Sequence, residues 1–82
     1  MKVFLTPSVL KQYNQLPENY KIRVKNKLLF LENNPYEGKK LSGKLSVIRS
    51  LRVWPYRILY YIDKKSINIY VVTIAHRQRV YS

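Results

Sequence analysis

The sequence predicts an α+β domain in which two helices pack on one face of an antiparallel sheet. Two observations carry that expectation. Residues 7–33 place apolar side chains at helical spacing between proline-marked boundaries. From Ser46 onward the chain turns to β-branched and aromatic residues broken by short turns. The resulting order is an N-terminal strand, a two-helix hairpin and a three-stranded antiparallel meander, which keeps helices apart from sequential strands. At 82 residues the chain has room for one domain, residues 1–82.

The elements follow from local chemistry. Lys2 to Leu5 is a short apolar stretch, read as an edge strand. Thr6-Pro7 supplies an N-cap and a first-turn proline. Val9, Leu10, Tyr13 and Leu16 then recur at helical spacing until Pro17, which pushes Leu16 out of the α region. Pro17 and Glu18 suit the first turn of a second helix. Tyr20, Val24, Leu28 and Leu31 form its buried stripe, with Lys21, Lys25 and Glu32 on the wet side. Asn33-Asn34-Pro35 ends it. Residues 36–44 read as a loop holding both glycines, Gly38 and Gly43. Strands are expected at 47–53, 56–62 and 67–74. Trp54-Pro55 separates the first two, and residues 63–66 form the second turn. In the last strand Ile67, Ile69, Val71 and Thr73 are expected to face the helices, and Asn68, Tyr70, Val72 and Ile74 to face away.

Composition narrows the chemistry. The chain lacks cysteine, so disulfides and thiolate catalysis are excluded. One histidine (His76) and four carboxylates (Glu18, Glu32, Glu37, Asp63) make a poor metal cage, so no metal or cofactor is expected. No apolar run nears the roughly 20 residues that span a bilayer. Residues 1–5 are too short for a secretory core, and a soluble, cytoplasmic protein is expected. Sixteen Lys and Arg against four acids give a formal charge of +12. Such an excess in a small fold points to a polyanionic partner: nucleic acid first, an acidic protein second, an anionic membrane third.

The cations concentrate in the second half. Arg49 and Arg52 share one expected strand and Arg57 opens the next, while His76, Arg77, Arg79 and Tyr81 follow the last. Neighbouring strands lie about 4.8 Å apart, so such cations can converge on one sheet face. A basic face bearing aromatics suits single-stranded RNA, phosphates meeting guanidiniums and bases stacking on rings. Each arginine could equally be a solvated side chain lying along the surface. Tyr56, Tyr60, Tyr61 and Tyr70 fit ordinary strand packing. Trp54 would either stack a base or cover the sheet end.

The run Tyr56-Arg57-Ile58-Leu59-Tyr60-Tyr61-Ile62-Asp63, then Ile69-Tyr70-Val71-Val72, then His76-Arg77 and Val80-Tyr81, resembles the RelE/ParE superfamily of type II toxins. Leu41-Ser42-Gly43 ahead of the strands matches a family feature, and the resemblance covers nearly the whole chain. It departs at Trp54-Pro55, where many relatives carry a glycine turn.

For a RelE-like member, the resemblance implies a ribosome-dependent endoribonuclease that cuts mRNA in the ribosomal A site through the 2′-hydroxyl beside the scissile phosphate. By similarity Arg57 clamps the phosphate, Arg77 stabilises charge or assists the leaving group, and Tyr81 acts as general base or orients the nucleophile. Arg52, then Arg49, Trp54, His76 and Arg79 are the candidate RNA contacts. A small acidic antitoxin is the implied protein partner. This chemistry needs no metal and no protein nucleophile, only in-line positioning, proton removal and charge stabilisation. Nearby cations would lower the Tyr81 phenol from its reference value near 10. The alternatives are a ParE-like inhibitor of DNA gyrase and a non-catalytic RNA- or antitoxin-binding relative.

Overall fold

The computed structural model describes residues 1–77. It contains β1 (Lys2–Leu5), α1 (Pro7–Asn14), α2 (Glu18–Asn33), β2 (Lys39–Lys40), a 3-10 turn (Gly43–Leu45), β3 (Arg49–Val53), β4 (Tyr56–Asp63) and β5 (Asn68–His76). The strands form one sheet in the order β1-β5-β4-β3-β2. β1 runs parallel to β5, and the other neighbours are antiparallel. The α+β expectation holds, with helices and sheet meeting in one core.

The hairpin forms for the reasons its sequence gives. The Thr6 hydroxyl accepts a hydrogen bond from the Val9 N–H at 3.2 Å, and Pro7 occupies the first turn of α1. Pro17 precedes α2, and Lys21 reaches Glu18 at 3.8 Å. The Asn34 side-chain amide donates back to the Phe30 carbonyl at the other end, 3.0 Å away. Val9, Val24 and Leu31 are fully covered, and they meet Leu51, Val53, Ile58, Tyr60, Ile69, Val71 and Ile74 from the sheet. Leu10, counted in the apolar run of α1, is instead 47% exposed. Among the described residues no helix is long and apolar enough to cross a membrane.

Two expectations need correction. Residues 36–44 are not all loop: Lys39 and Lys40 pair with Ser50 and Arg49, adding a fifth, edge strand. Two lysines carry little strand signal, and it is the long-range pairing that makes them a strand. The second correction concerns β5. Its register against β4 passes from Tyr60↔Val71 to Leu59↔Thr73, leaving Val72 without a partner. This bulge resets the alternation, so Ile69 and Val71 are buried before it and Ile74 after it. Ile67 never joins the strand. It sits in the preceding turn at φ 58° and is 61% exposed.

A helix side chain completes the bulge. Gln12 of α1 accepts from the Ile74 N–H at 3.0 Å, and its amide nitrogen lies 3.0 Å from the Thr73 hydroxyl. A backbone donor left over by the irregular ladder is thus satisfied from the helical layer.

Loop 35–38 is fastened by Tyr60, which has no exposed surface. Its hydroxyl donates to the Pro35 carbonyl and accepts from the Gly38 N–H, both at 2.8 Å. Burial pushes this phenol above its ordinary range, more than the Gly38 N–H and the Arg49 charge lower it. Farther along, Gly43 adopts φ 68°, a conformation that glycine takes without strain.

Candidate functional site

Strand alternation decides which cations share a face. On β4, Ile58 and Tyr60 point into the helix-covered core, so Arg57, Leu59 and Tyr61 point to the uncovered side. The register sets Arg52 of β3 and Ala75 of β5 on either side of Arg57. Arg52 and Arg57 are therefore direct cross-strand neighbours. Like charges so placed repel, and a bound phosphate would relieve the repulsion. Arg57 is half-buried, and its Nη1 makes a long 3.4 Å contact with the Oγ of buried Ser50.

Arg77 leaves the end of β5 beside the same row. Its N–H donates to the Pro55 carbonyl at 2.8 Å, tying the strand end to the 54–55 turn. Its guanidinium carbon lies 4.6 Å from the Trp54 ring centre, a cation–π contact. Trp54 is 52% exposed, and the Trp54–Pro55 bond is cis. The turn thus presents an indole and a guanidinium together, next to the strand positions of Arg52 and Arg57.

The remaining candidates divide. Arg49 pairs with Tyr60 in the register and belongs to the other face. Its guanidinium donates to the Gly38 carbonyl at 2.8 Å and the Tyr36 carbonyl at 3.1 Å, and stacks on the Tyr36 ring at 5.0 Å. It braces the loop and is not brought to Arg57. His76 pairs with Tyr56 and packs edge-on against that ring at 5.6 Å. Tyr56 in turn meets Tyr20 of α2 at 5.3 Å. The imidazole therefore stands on the helix side at the sheet end, away from the face of Arg57. Arg79 and Tyr81 lie outside the described residues.

Sequence reasoning missed two groupings. Across the uncovered face, Phe4, Tyr70 and Tyr61 stack in a row, with ring centres 5.6 and 5.5 Å apart. The row exists because parallel pairing sets Phe4 beside Tyr70, a contact that no local pattern announces. The second is on α2, where Arg23, Lys27 and Phe30 recur at i, i+4 and i+7 and face the end of β3. That spacing was a readable signal. Among the described residues, no three His, Asp or Glu side chains stand together as metal ligands would. What the arrangement offers is anion binding: guanidiniums with planar donors matched to phosphate oxygens, beside an exposed indole.

Comparisons with known proteins agree with this geometry. Residues 3–81 match the family model described as ParE toxin of type II toxin-antitoxin system, parDE. The RelBE2 toxin–antitoxin complex from Mycobacterium tuberculosis contains a similar chain, 27% identical, with a TM-score of 0.83 over 93% of this chain and 96% of that one. The isolated RelE toxin of E. coli is 20% identical, with a TM-score of 0.81 over 98% and 89%. A YoeB/ParE toxin from Agrobacterium tumefaciens is 17% identical, with a TM-score of 0.78 over 93% and 98%. The last two likenesses concern the fold. No curated protein matches the sequence.

Proposed function

We propose, from the premise that this chain belongs to the ParE toxin family of the RelE/ParE superfamily of type II toxin–antitoxin systems, that it is a metal-independent endoribonuclease acting on mRNA in the ribosomal A site. The observation that carries this reading is the cross-strand pair Arg52 and Arg57 on the open face, with Arg77 held over Trp54 at its end.

The reaction asks little covalent chemistry of the protein. The substrate's 2′-oxygen attacks the adjacent phosphorus while the bond to the 5′-oxygen breaks. A 2′,3′-cyclic phosphate and a free 5′-hydroxyl result. Arg57 binds a non-bridging oxygen and takes up the charge that grows in the phosphorane, with Arg52 adding to the field. Arg77 serves the leaving oxygen. Tyr81 is the proposed base for the 2′-hydroxyl proton, and Arg79 a further RNA contact. His76 orients the Tyr56 end of the sheet and is not assigned a proton-transfer step. The ribosome places the strand, and the site of action is the cytoplasm.

The protein partner in this reading is a small acidic antitoxin. The solved relatives include toxin–antitoxin complexes, and a formal charge of +12 suits an acidic mate. A second reading, inhibition of DNA gyrase, is favoured by the ParE description of the matching family. Mapping mRNA 5′ ends after induction separates the two. New ends within translated codons are expected from the wild type. They should fall at least about 100-fold in Arg57→Ala and in Arg77→Ala, as on loss of one oxyanion donor. Undiminished ends in both variants would defeat the mechanism. DNA damage without new mRNA ends would favour gyrase.

A further inference from the structure

A cleft separate from the Arg57 face opens between α2 and the end of β3. It encloses about 570 Å³, within the range of small-ligand sites, and Arg23, Asn26, Lys27, Phe30, Arg52 and Trp54 line it. We infer that this cleft is a nucleotide subsite, holding the phosphate and base of an RNA residue that neighbours the scissile one. The inference rests on the nuclease reading for the identity of the strand, and on the cleft itself for the rest.

Charge is the first argument. Three cations line the cleft and no carboxylate does. Arg23 and Lys27 are one helical turn apart, a like-charge spacing that works against the helix. Both are set against rings: Arg23 lies 5.7 Å from the Tyr20 centre and Lys27 5.1 Å from that of Phe30. A ring contact leaves the formal charge uncancelled, as a carboxylate partner would not. An anion entering the cleft meets a field that the fold has not neutralised.

The rings are the second argument. Phe30 is 37% exposed and Trp54 52% exposed, both at the cleft wall. Cations beside exposed ring planes are what a sequence-tolerant single-strand site combines, phosphate on one and base on the other. An acidic peptide would use the cations and leave the ring faces wet.

Continuity is the third. Arg52 borders the cleft and is also the cross-strand neighbour of Arg57. Trp54 borders it and also carries Arg77. A strand whose phosphate sits at Arg57 therefore has a direct way into the cleft past these two shared walls. β2 reaches only Arg49 and Ser50, which leaves the outer edge of β3 beyond them clear.

Trp54 is the chain's single tryptophan, so its emission reports the site directly. The probe is a 2′-O-methyl RNA trinucleotide, which lacks the attacking hydroxyl and cannot be cut. Titrated into the full chain, it is expected to quench Trp54 and to shift the amide resonances of Asn26, Lys27 and Phe30. Arg23→Gln with Lys27→Gln should weaken binding at least tenfold. It should also lower the slope of log K against log salt by about 1.4, or roughly 0.7 per lost phosphate contact. Arg23→Lys should keep the slope. Unmoved α2 amides at saturation, or an unchanged slope in the double variant, would overturn the inference. So would a hexaglutamate peptide that outcompetes the trinucleotide, since it would assign the cleft to a protein partner. The mRNA-end assay on Arg57→Ala is read separately. Normal trinucleotide binding by the double variant with lost cleavage in Arg57→Ala removes the subsite and leaves the nuclease. The reverse result removes the nuclease and leaves an RNA-binding cleft.

Discussion

Replacing Gly38 by alanine should be among the costliest single-methyl changes in this protein. A Cβ at that position would lie 2.5 Å from the Tyr60 hydroxyl oxygen, 2.7 Å from Cε1 and 2.9 Å from Cζ. Tyr60 has no free surface into which to move. Either its ring leaves its packing or loop 35–38 lifts away. Overpacking of a tight core costs about 1–3 kcal/mol. Lifting the loop also breaks the Gly38 N–H and Pro35 hydrogen bonds to the hydroxyl, at about 0.5–1.5 kcal/mol each. The two together give about 3 kcal/mol, with the two Arg49 bonds to the same loop strained besides. For a domain of this length that lowers Tm by roughly 12–24 °C. Urea unfolding followed by far-UV circular dichroism measures it. Tyr60→Phe is expected to cost about 1–3 kcal/mol by itself, because it orphans a buried N–H and a carbonyl. Combined with Gly38→Ala it should cost less than the sum, since the nearest clashing atom is then gone. A loss below about 0.5 kcal/mol for Gly38→Ala, or strict additivity in the pair, would refute the reasoning.

Other perturbations test other parts of the fold. The folded state holds the Tyr60 proton above pH 10, where the unfolded chain releases it, because burial raises this phenol. Its contribution is full below about pH 10 and is lost as pH rises beyond, so urea midpoints should fall there and Tyr60→Phe should flatten the fall. Gln12→Ala withdraws the acceptor of the Ile74 N–H at the bulge. It should cost about 1–3 kcal/mol and speed hydrogen exchange at that amide. Arg52→Thr removes a like charge directly opposite Arg57 and installs a good strand former. It should raise stability by about 0.5 kcal/mol in thermal unfolding while weakening RNA binding.

The helical hairpin was legible because its boundaries are written in local chemistry. Thr6-Pro7, Leu16-Pro17 and Asn33-Asn34-Pro35 act on their own backbone, and no distant contact overrides them. The meander was legible from texture and short turns. The face of β5 was not. Val71, Val72, Thr73 and Ile74 are all β-branched, so a slip of one residue leaves the pattern looking the same, and the bulge is set by Gln12 from another layer. The site was legible to the same degree. Arg57 and Arg52 were placed by strand parity, which sequence carries. Arg49 and His76 were misjudged because their surroundings come from loop 36–38 and from Tyr56 with its α2 neighbour Tyr20. The cleft on α2 went unnoticed because Arg23 and Lys27 read as an ordinary wet helix surface until β3 is set opposite.

Gln12 has a mechanical meaning. By seating its amide in the one irregular step of β5, it acts as a tooth that indexes the hairpin against the sheet. The layers cannot slide by a fraction of a residue without stranding an amide, so they move together or not at all. Ala75, which flanks Arg57, follows directly after Ile74, the residue that tooth holds. A partner that grips the helices therefore has leverage on the catalytic side of the sheet without touching it.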